Sequence, residues 1–142
     1  MNESKMILTS VLQTAQMGIV SIDAVREKAV SKGMQKLLQS QRNQYAAIEQ
    51  AAQDLAREKN WKMPGRRVVL EKVSSVGAKC RLMGKEKDTS IAGMLIQGNT
   101  RGMILGIKNQ RDASRIDPKV KALSDRLLNE ENINIQRSQA FL

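Results

Sequence analysis

The sequence predicts an all-α fold of four main helices and one short crossover helix. The 142 residues include only three aromatic residues and two prolines. They are also rich in Gln, Ala, Leu, Lys and Arg, which favour helices, whereas strands favour aromatic and β-branched residues. Apolar residues recur at alternating steps of three and four, the period of an amphipathic helix. With 41% hydrophobic and 27% charged residues, the chain is expected to bury one core as a single domain, residues 1–142.

The first two helices are expected to form an antiparallel hairpin over residues 1–60. Asn2 or Ser4 can cap the first helix, and Gly33 supplies the residue that favours a helix end. A second apolar stripe begins directly afterwards, and so short a connection places the two helices side by side. The first stripe is Leu8, Val11, Ala15, Gly18, Ile22, Val25 and Ala29, and the second is Met34, Leu37, Gln41, Gln44, Ile48, Ala51 and Leu55.

The rest of the chain divides into a crossover, residues 61–87, and a second hairpin, residues 88–142. Pro64 and Gly65 end the second helix. A strand-like run follows, but apolar spacings of four and three favour a short amphipathic helix over a β-hairpin. Asp88-Thr89-Ser90 is expected to cap the third main helix, and Pro118 is expected to begin the last helix. The crossover stripe is Val69, Val73, Val76, Cys80 and Met83.

Three features of the sequence carry a resemblance to a known family. They are the segment IAGMLIQGNT at residues 91–100, Trp61 after the second helix, and an echo between the hairpins at residues 36–38 and 126–128. On these features the chain resembles the ferritin/rubrerythrin-like superfamily over nearly its whole length, and most of all uncharacterised metal-free ferritin-like or spore-coat-like proteins of Gram-positive bacteria. The resemblance implies an up-down-down-up four-helix bundle, in which a long crossover joins two hairpins.

The resemblance also points to the positions where a metal centre would lie. In di-iron members, the second and fourth helices each present Glu-x-x-His to the core. The corresponding positions here are Gln41-x-x-Gln44 and Glu131-x-x-Asn134, and the chain has no histidine. Amides are poor ligands for iron or manganese, and one carboxylate cannot neutralise two divalent ions. We therefore expect a scaffold without a metal centre and without a cofactor.

The same positions are expected to form a polar layer inside the bundle. Gln41 and Gln44 lie on the apolar stripe of their helix, so their amides should point inward and must find partners there. Glu131, Asn134 and Arg101 on the facing helices could supply them. Two interpretations stay open: a hydrogen-bonded layer that fixes helix register, or a pocket for a small polar ligand, which also needs a void.

Glycines recur every four residues on the third main helix, at Gly98, Gly102 and Gly106. Each interior glycine costs roughly 1 kcal/mol relative to alanine, so three of them predict close packing on that face. The expected neighbour is another helix of the bundle, such as the first helix at Ala15 and Gly18, and a symmetry mate is the alternative.

Positive charge is concentrated in the crossover. Residues 57–87 contain ten basic and three acidic residues, which accounts for +7 of the net charge of +10. Such a segment could contact a polyanion or an anionic surface. No specific nucleic-acid motif and no aromatic interleaving accompany it. The candidate contact residues are Arg66, Arg67, Lys72, Lys79 and Arg81.

The composition narrows the function mainly by exclusion. Without histidine, Ser-His-Asp and Cys-His catalysis are excluded, and the single Cys80 cannot form an internal disulfide. We expect a non-enzymatic structural or protein-interaction module, with a basic accessory protein acting through residues 57–87 as the alternative and a residual metalloenzyme as a third hypothesis.

Self-association and location are also expected from the sequence. A homo-oligomer, with a dimer favoured, is predicted because additional apolar residues broaden the first helix's stripe beyond one core. No run reaches the about 20 apolar residues of a membrane span, and no basic n-region opens the chain, so a cytoplasmic protein is expected. The additional residues are Met6, Ile7, Leu12, Ile19 and Val20.

Overall fold

The computed structural model describes residues 2–72 and 87–142, and the regular structure within them is helical. It confirms the all-α prediction for this part of the chain. The helices are α1 Glu3–Val25, α2 Lys32–Glu58, α3 Arg67–Lys72, α4 Lys87–Asp112 and α5 Pro118–Gln139, with a 3-10 turn at Arg26–Lys28.

Polar side chains cap three of these helices where the sequence predicts helix starts. Asn2 caps α1, Ser31 caps α2 and Asp117 caps α5, each accepting a backbone N–H within 3.2 Å. Pro118 occupies the first turn of α5, where its missing N–H has no intrahelical partner to lose. These caps satisfy donors that the first turn of a helix leaves free.

The end of α1 differs from the prediction. The helix ends at Val25, the chain is extended at Ala29, and Gly33 lies in the first turn of α2. A β-carbon at Gly33 would lie 3.2 Å from the ring of Phe141. Gly33 therefore accommodates the carboxyl end of the chain and does not terminate α1.

Contacts at one end of the molecule join the start of α1 to the start of α5. The carboxylate of Glu3 accepts the backbone N–H groups of Ser114 and Arg115 at 3.1–3.2 Å. At the same end, Lys59 Nζ, just after α2, lies 2.6 Å from Asp117 Oδ2. The end of α2 and the segment between α4 and α5 therefore lie beside the start of α1.

Contacts at the opposite end involve Asp88 in the first turn of α4. Its carboxylate accepts the N–H groups of Val30 and Ser31 at 2.8 and 2.9 Å, in the turn between α1 and α2. Together the two ends show that α1 and α5 run in one direction and that α2 and α4 run in the other. The order is up, down, down, up, which is compatible with a four-helix bundle and a crossover.

The core is centred on α1, which contacts all four other helices. Ile7, Leu12 and Ile19 are buried in it. These three were predicted to lie outside the core as a self-association surface, and that prediction is wrong because α1 is surrounded and buries more than one stripe. Met6 stays exposed and Val20 is half-buried.

The crossover is described only in its first part. Residues 67–72 form α3, so the helical interpretation is correct there and the strand-like reading of this run is wrong. Val69 is buried, and α3 packs on α1. The rest of the predicted crossover helix, with Lys79, Cys80 and Arg81, lies outside the described residues. None of the helices described here is both long and apolar enough to span a bilayer.

Candidate functional site

Polar side chains from α2, α4 and α5 meet inside the bundle. On α5, Glu131, Asn134 and Ser138 lie at steps of three and four, which places them on one helical face, and all three are buried. Gln41 of α2 and Asn99 of α4 are buried as well. We refer to these five residues, with Tyr45, as the polar layer.

Hydrogen bonds run through the polar layer from helix to helix. Tyr45 Oη donates to Asn99 Oδ1 at 2.6 Å, and Asn99 Nδ2 donates to Gln41 Oε1 at 3.4 Å and to the carbonyl of Leu95 at 2.8 Å. Gln41 Nε2 donates to Ser138 Oγ at 3.2 Å. The path therefore connects α4, α2 and α5 through hydrogen bonds between side chains. Because these bonds form only when the residues lie at matching heights, they keep the three helices in register.

The ring of Tyr45 is held between α1 and the polar layer. A β-carbon at Gly18 would overlap that ring, so the glycine in α1 makes room for it. Burial raises the pKa of the phenol well above its usual value, and the carboxyls of Glu131 and Glu130 add to the effect. Tyr45 thus stays a neutral hydrogen-bond donor.

Glu131 is fully buried, and neither of its carboxyl oxygens has a hydrogen-bond partner in the described structure. Burial raises its pKa from 4.5 to about 8, and the neighbouring Glu130 contributes further. A carboxyl group in an apolar setting with no cation beside it favours its neutral form. Glu131 is therefore protonated at neutral pH.

Other buried amides near the centre also lack well-formed hydrogen bonds. Gln16 on α1 and Asn134 on α5 make no hydrogen bond of good geometry among the described residues, nor does Gln44 Oε1, although Gln16 approaches Glu49 and Asn134 approaches Tyr45 closely enough to exert a lowering effect on the pKa of each. Buried polar groups normally find a partner in protein or in ordered water. Clefts of about 10 and 250 Å³ in the described part are lined by other residues and not by Gln41, Glu131 or Asn134.

Two of the three predicted close-packing glycines lie against α5. A β-carbon at Gly102 would collide with the carboxyl group of Glu131, and one at Gly106 would lie 2.9 Å from Leu128 Cδ2. The neighbour is another helix of the bundle, as predicted, but these contacts are with α5 and not with the first helix that was given as an example. Gly98 was predicted to pack closely too, but a β-carbon there would meet nothing within 4 Å among residues 2–72 and 87–142, so the described helices do not pack against it.

The structure also corrects two predicted members of the polar layer. Arg101 is exposed, because it lies two residues after Asn99 and one before Gly102, which turns it away from the inner face of α4. Gln44 is only half-buried. Sequence reasoning missed Tyr45 and Ser138, although each lies four residues from a polar-layer residue, Gln41 and Asn134 respectively, and so on the same helical face.

No metal centre is evident among the acidic side chains within residues 2–72 and 87–142, since no three of them cluster closely enough to hold an ion. What the polar layer provides chemically is one neutral carboxylic acid, one neutral phenol and several amides, arranged between helices. Of these groups, the phenol of Tyr45 and the amides of Asn99 and Gln41 form the hydrogen bonds that connect α2, α4 and α5.

The first of the predicted polyanion contacts, Arg66, forms an ion pair within the molecule. Arg66 holds the carboxylate of Glu49 on α2 through two contacts of 2.6 and 2.8 Å. The Arg66 guanidinium lowers the pKa of Glu49 against the opposing effect of burial. Arg66 therefore ties the crossover to α2, and its role as a polyanion contact stays a prediction. Arg67 is exposed, and the side chains of Lys72, Lys79 and Arg81 lie outside the described structure.

Comparison of the chain with protein-family models, with curated proteins and with solved structures finds no match.

Proposed function

We infer that this chain is a non-enzymatic, ferritin-like helical bundle without di-iron ligands that serves as a structural or protein-interaction module. The observation that carries the proposal is the hydrogen-bonded path from Tyr45 through Asn99 and Gln41 to Ser138. Amide and hydroxyl groups hold the helices where the resemblance would place two cations. The up-down-down-up order of α1, α2, α4 and α5 supports the ferritin-like assignment, because a long crossover between two hairpins gives this order.

Metal analysis tests the proposal. Protein purified after growth with added iron and manganese is expected to carry far less than one equivalent of either metal per chain. The informative variant is Gln41→Glu combined with Asn134→His, which restores two of the ligand types that di-iron members use. Two equivalents of metal in the wild-type chain would contradict the proposal.

Self-association is the second part of the proposal. Because Ile7, Leu12 and Ile19 are in the core, the surface for it must come from exposed apolar side chains elsewhere, such as Met6 and Met17 of α1. Light scattering coupled to size exclusion is expected to give the mass of a dimer, and Met6→Gln with Met17→Gln to lower it toward that of one chain. A monomer at high wild-type concentration would contradict this part.

A second candidate function is polyanion binding through residues 57–87. The excess of basic residues and the exposure of Arg67 favour it. Affinity for random duplex DNA should then fall steeply with salt and with Arg67→Glu combined with Lys79→Glu. Unchanged affinity in that variant would reject the candidate.

A further inference from the structure

The second half of α4 carries aliphatic side chains that the bundle does not cover. Ile104, Leu105 and Ile107 are 55%, 47% and 43% exposed. The opposite side of the same turns faces the molecule, because Gly102 and Gly106 contact α5. This face of α4 is therefore unpartnered within the described chain.

The charged residues among these aliphatic side chains are basic and unpaired. Arg101, Ile104, Lys108 and Arg111 lie at steps of three, four and three, so they share one helical face. The segment from Thr89 to Arg111 contains no acidic residue. In the described structure these three cations form no ion pair, whereas Arg42, Lys59, Arg66 and others are paired with carboxylates. We call the exposed residues 101, 104, 105, 107, 108 and 111 the α4 outer face.

We propose that the α4 outer face binds an anionic phospholipid surface. A helix face that combines exposed aliphatic side chains with Lys and Arg lies in the interfacial plane of a membrane, with the aliphatic groups among the acyl chains and the cations at the headgroups. The long stems of Arg101 and Lys108 let their charges reach the phosphates while Ile104 between them enters the apolar layer. An anionic membrane attracts the protein from a distance because the protein carries a net charge of +10.

The charge and shape of the α4 outer face favour a phospholipid surface over a second copy of the chain, a nucleic acid or a helical peptide. A second copy paired through the same face would bring six cations together with only Asp112 of each copy as an acidic residue beside them, which is unfavourable. A nucleic acid would make no use of Ile104, Leu105 and Ile107, and α4 has no aromatic side chain for base stacking. A helical peptide needs a groove, but this face is the convex side of a single helix.

Vesicle flotation with the full chain tests the proposal. At about 0.1 M NaCl, the wild type is expected to float with vesicles of phosphatidylcholine and phosphatidylglycerol in equal parts and not with pure phosphatidylcholine. Arg101→Gln with Lys108→Gln should weaken binding about 25-fold, at roughly fivefold per cation. Ile104→Gln with Ile107→Gln should weaken it about tenfold.

Matched controls make the result decisive. Lys121→Gln with Arg126→Gln removes the same charge from exposed positions on α5, and Val30→Gln removes an exposed aliphatic side chain from the turn before α2. Both should bind within about threefold of the wild type. Equal loss in the α5 control would overturn the assignment to α4. Wild-type binding by the Ile104 and Ile107 variant would overturn it as well, because charge alone would then explain the attraction.

Discussion

Glu131 is the residue whose protonation decides the stability of the polar layer. Its carboxyl group is fully buried and lies against the backbone of Gly102, and both of its oxygens lack a hydrogen-bond partner in the described structure. The nearest charged group that affects it is another acid, Glu130. An ionised carboxylate there would be buried without a counter-charge, which is unfavourable.

The stability of the protein is therefore expected to fall with rising pH. The pKa of Glu131 is about 8 in the folded chain and about 4.5 when exposed, so its contribution is complete below pH 4.5 and is lost as the pH rises to 8. Urea unfolding at about pH 5 and pH 8.5 should show a decrease of roughly 3–5 kcal/mol from this group. Glu131→Gln should remove that part of the slope.

Asp54→Asn is the control for this measurement, because Asp54 is exposed and paired only with Arg57 and Gln50 on its own helix. It should keep the wild-type slope. If Glu131→Gln showed the same pH dependence as the wild type between these two pH values, Glu131 would not be a buried neutral acid.

Gly102 and Gly98 offer a matched pair of substitutions on one helix. Gly102→Ala forces a β-carbon into the carboxyl group of Glu131 and should destabilise the fold by about 2–4 kcal/mol. Gly98→Ala meets no other group in the described part of the chain and should stabilise it by about 0.5–1 kcal/mol through helix propensity. Urea denaturation of both variants checks this, and similar effects of the two substitutions would show that α4 has another orientation.

At the scale of elements, α4 shows what sequence pattern leaves open. The periodicity of α1 and α2 predicts their buried faces because polar residues mark the opposite side. In the second half of α4, aliphatic residues and glycines occur around the whole helix, so Ile104 and Gly106 are equally good candidates for the inner face. The placement of Arg101 and Gly98 inside failed for this reason, since only contacts with α5 select the side that Gly102 and Gly106 occupy.

Asp88 joins two elements that are far apart in sequence. Its carboxylate accepts two backbone N–H groups in the turn between α1 and α2, those of Val30 and of Ser31, the N-cap residue of α2. Asp88→Ala should lower the free energy of unfolding by about 1–2 kcal/mol. Asp112→Ala, which removes an exposed acid at the other end of α4, should have an effect below about 0.5 kcal/mol. Equal effects would contradict the assigned role of Asp88.

At the scale of the whole molecule, the number, order and approximate bounds of the described helices follow from the sequence, because apolar spacing and helix caps are local signals. The burial of Gln41, Glu131 and Asn134 follows from their place on apolar stripes. Their partners do not, because Tyr45, Asn99 and Ser138 come together only through the mutual orientation of α2, α4 and α5. The surrounded position of α1 is likewise a property of the assembled bundle, so Ile7, Leu12 and Ile19 could not be assigned to the core in advance.

Thermal unfolding with added manganese tests most directly that amide and hydroxyl groups, not cations, hold these helices together. A metal that binds only the folded chain raises the midpoint of unfolding in proportion to the logarithm of its concentration. The account predicts the same midpoint in excess Mn²⁺ or Fe²⁺ as in chelator. A midpoint that rises with metal concentration in the wild type, and no longer rises in Glu131→Gln, would contradict it.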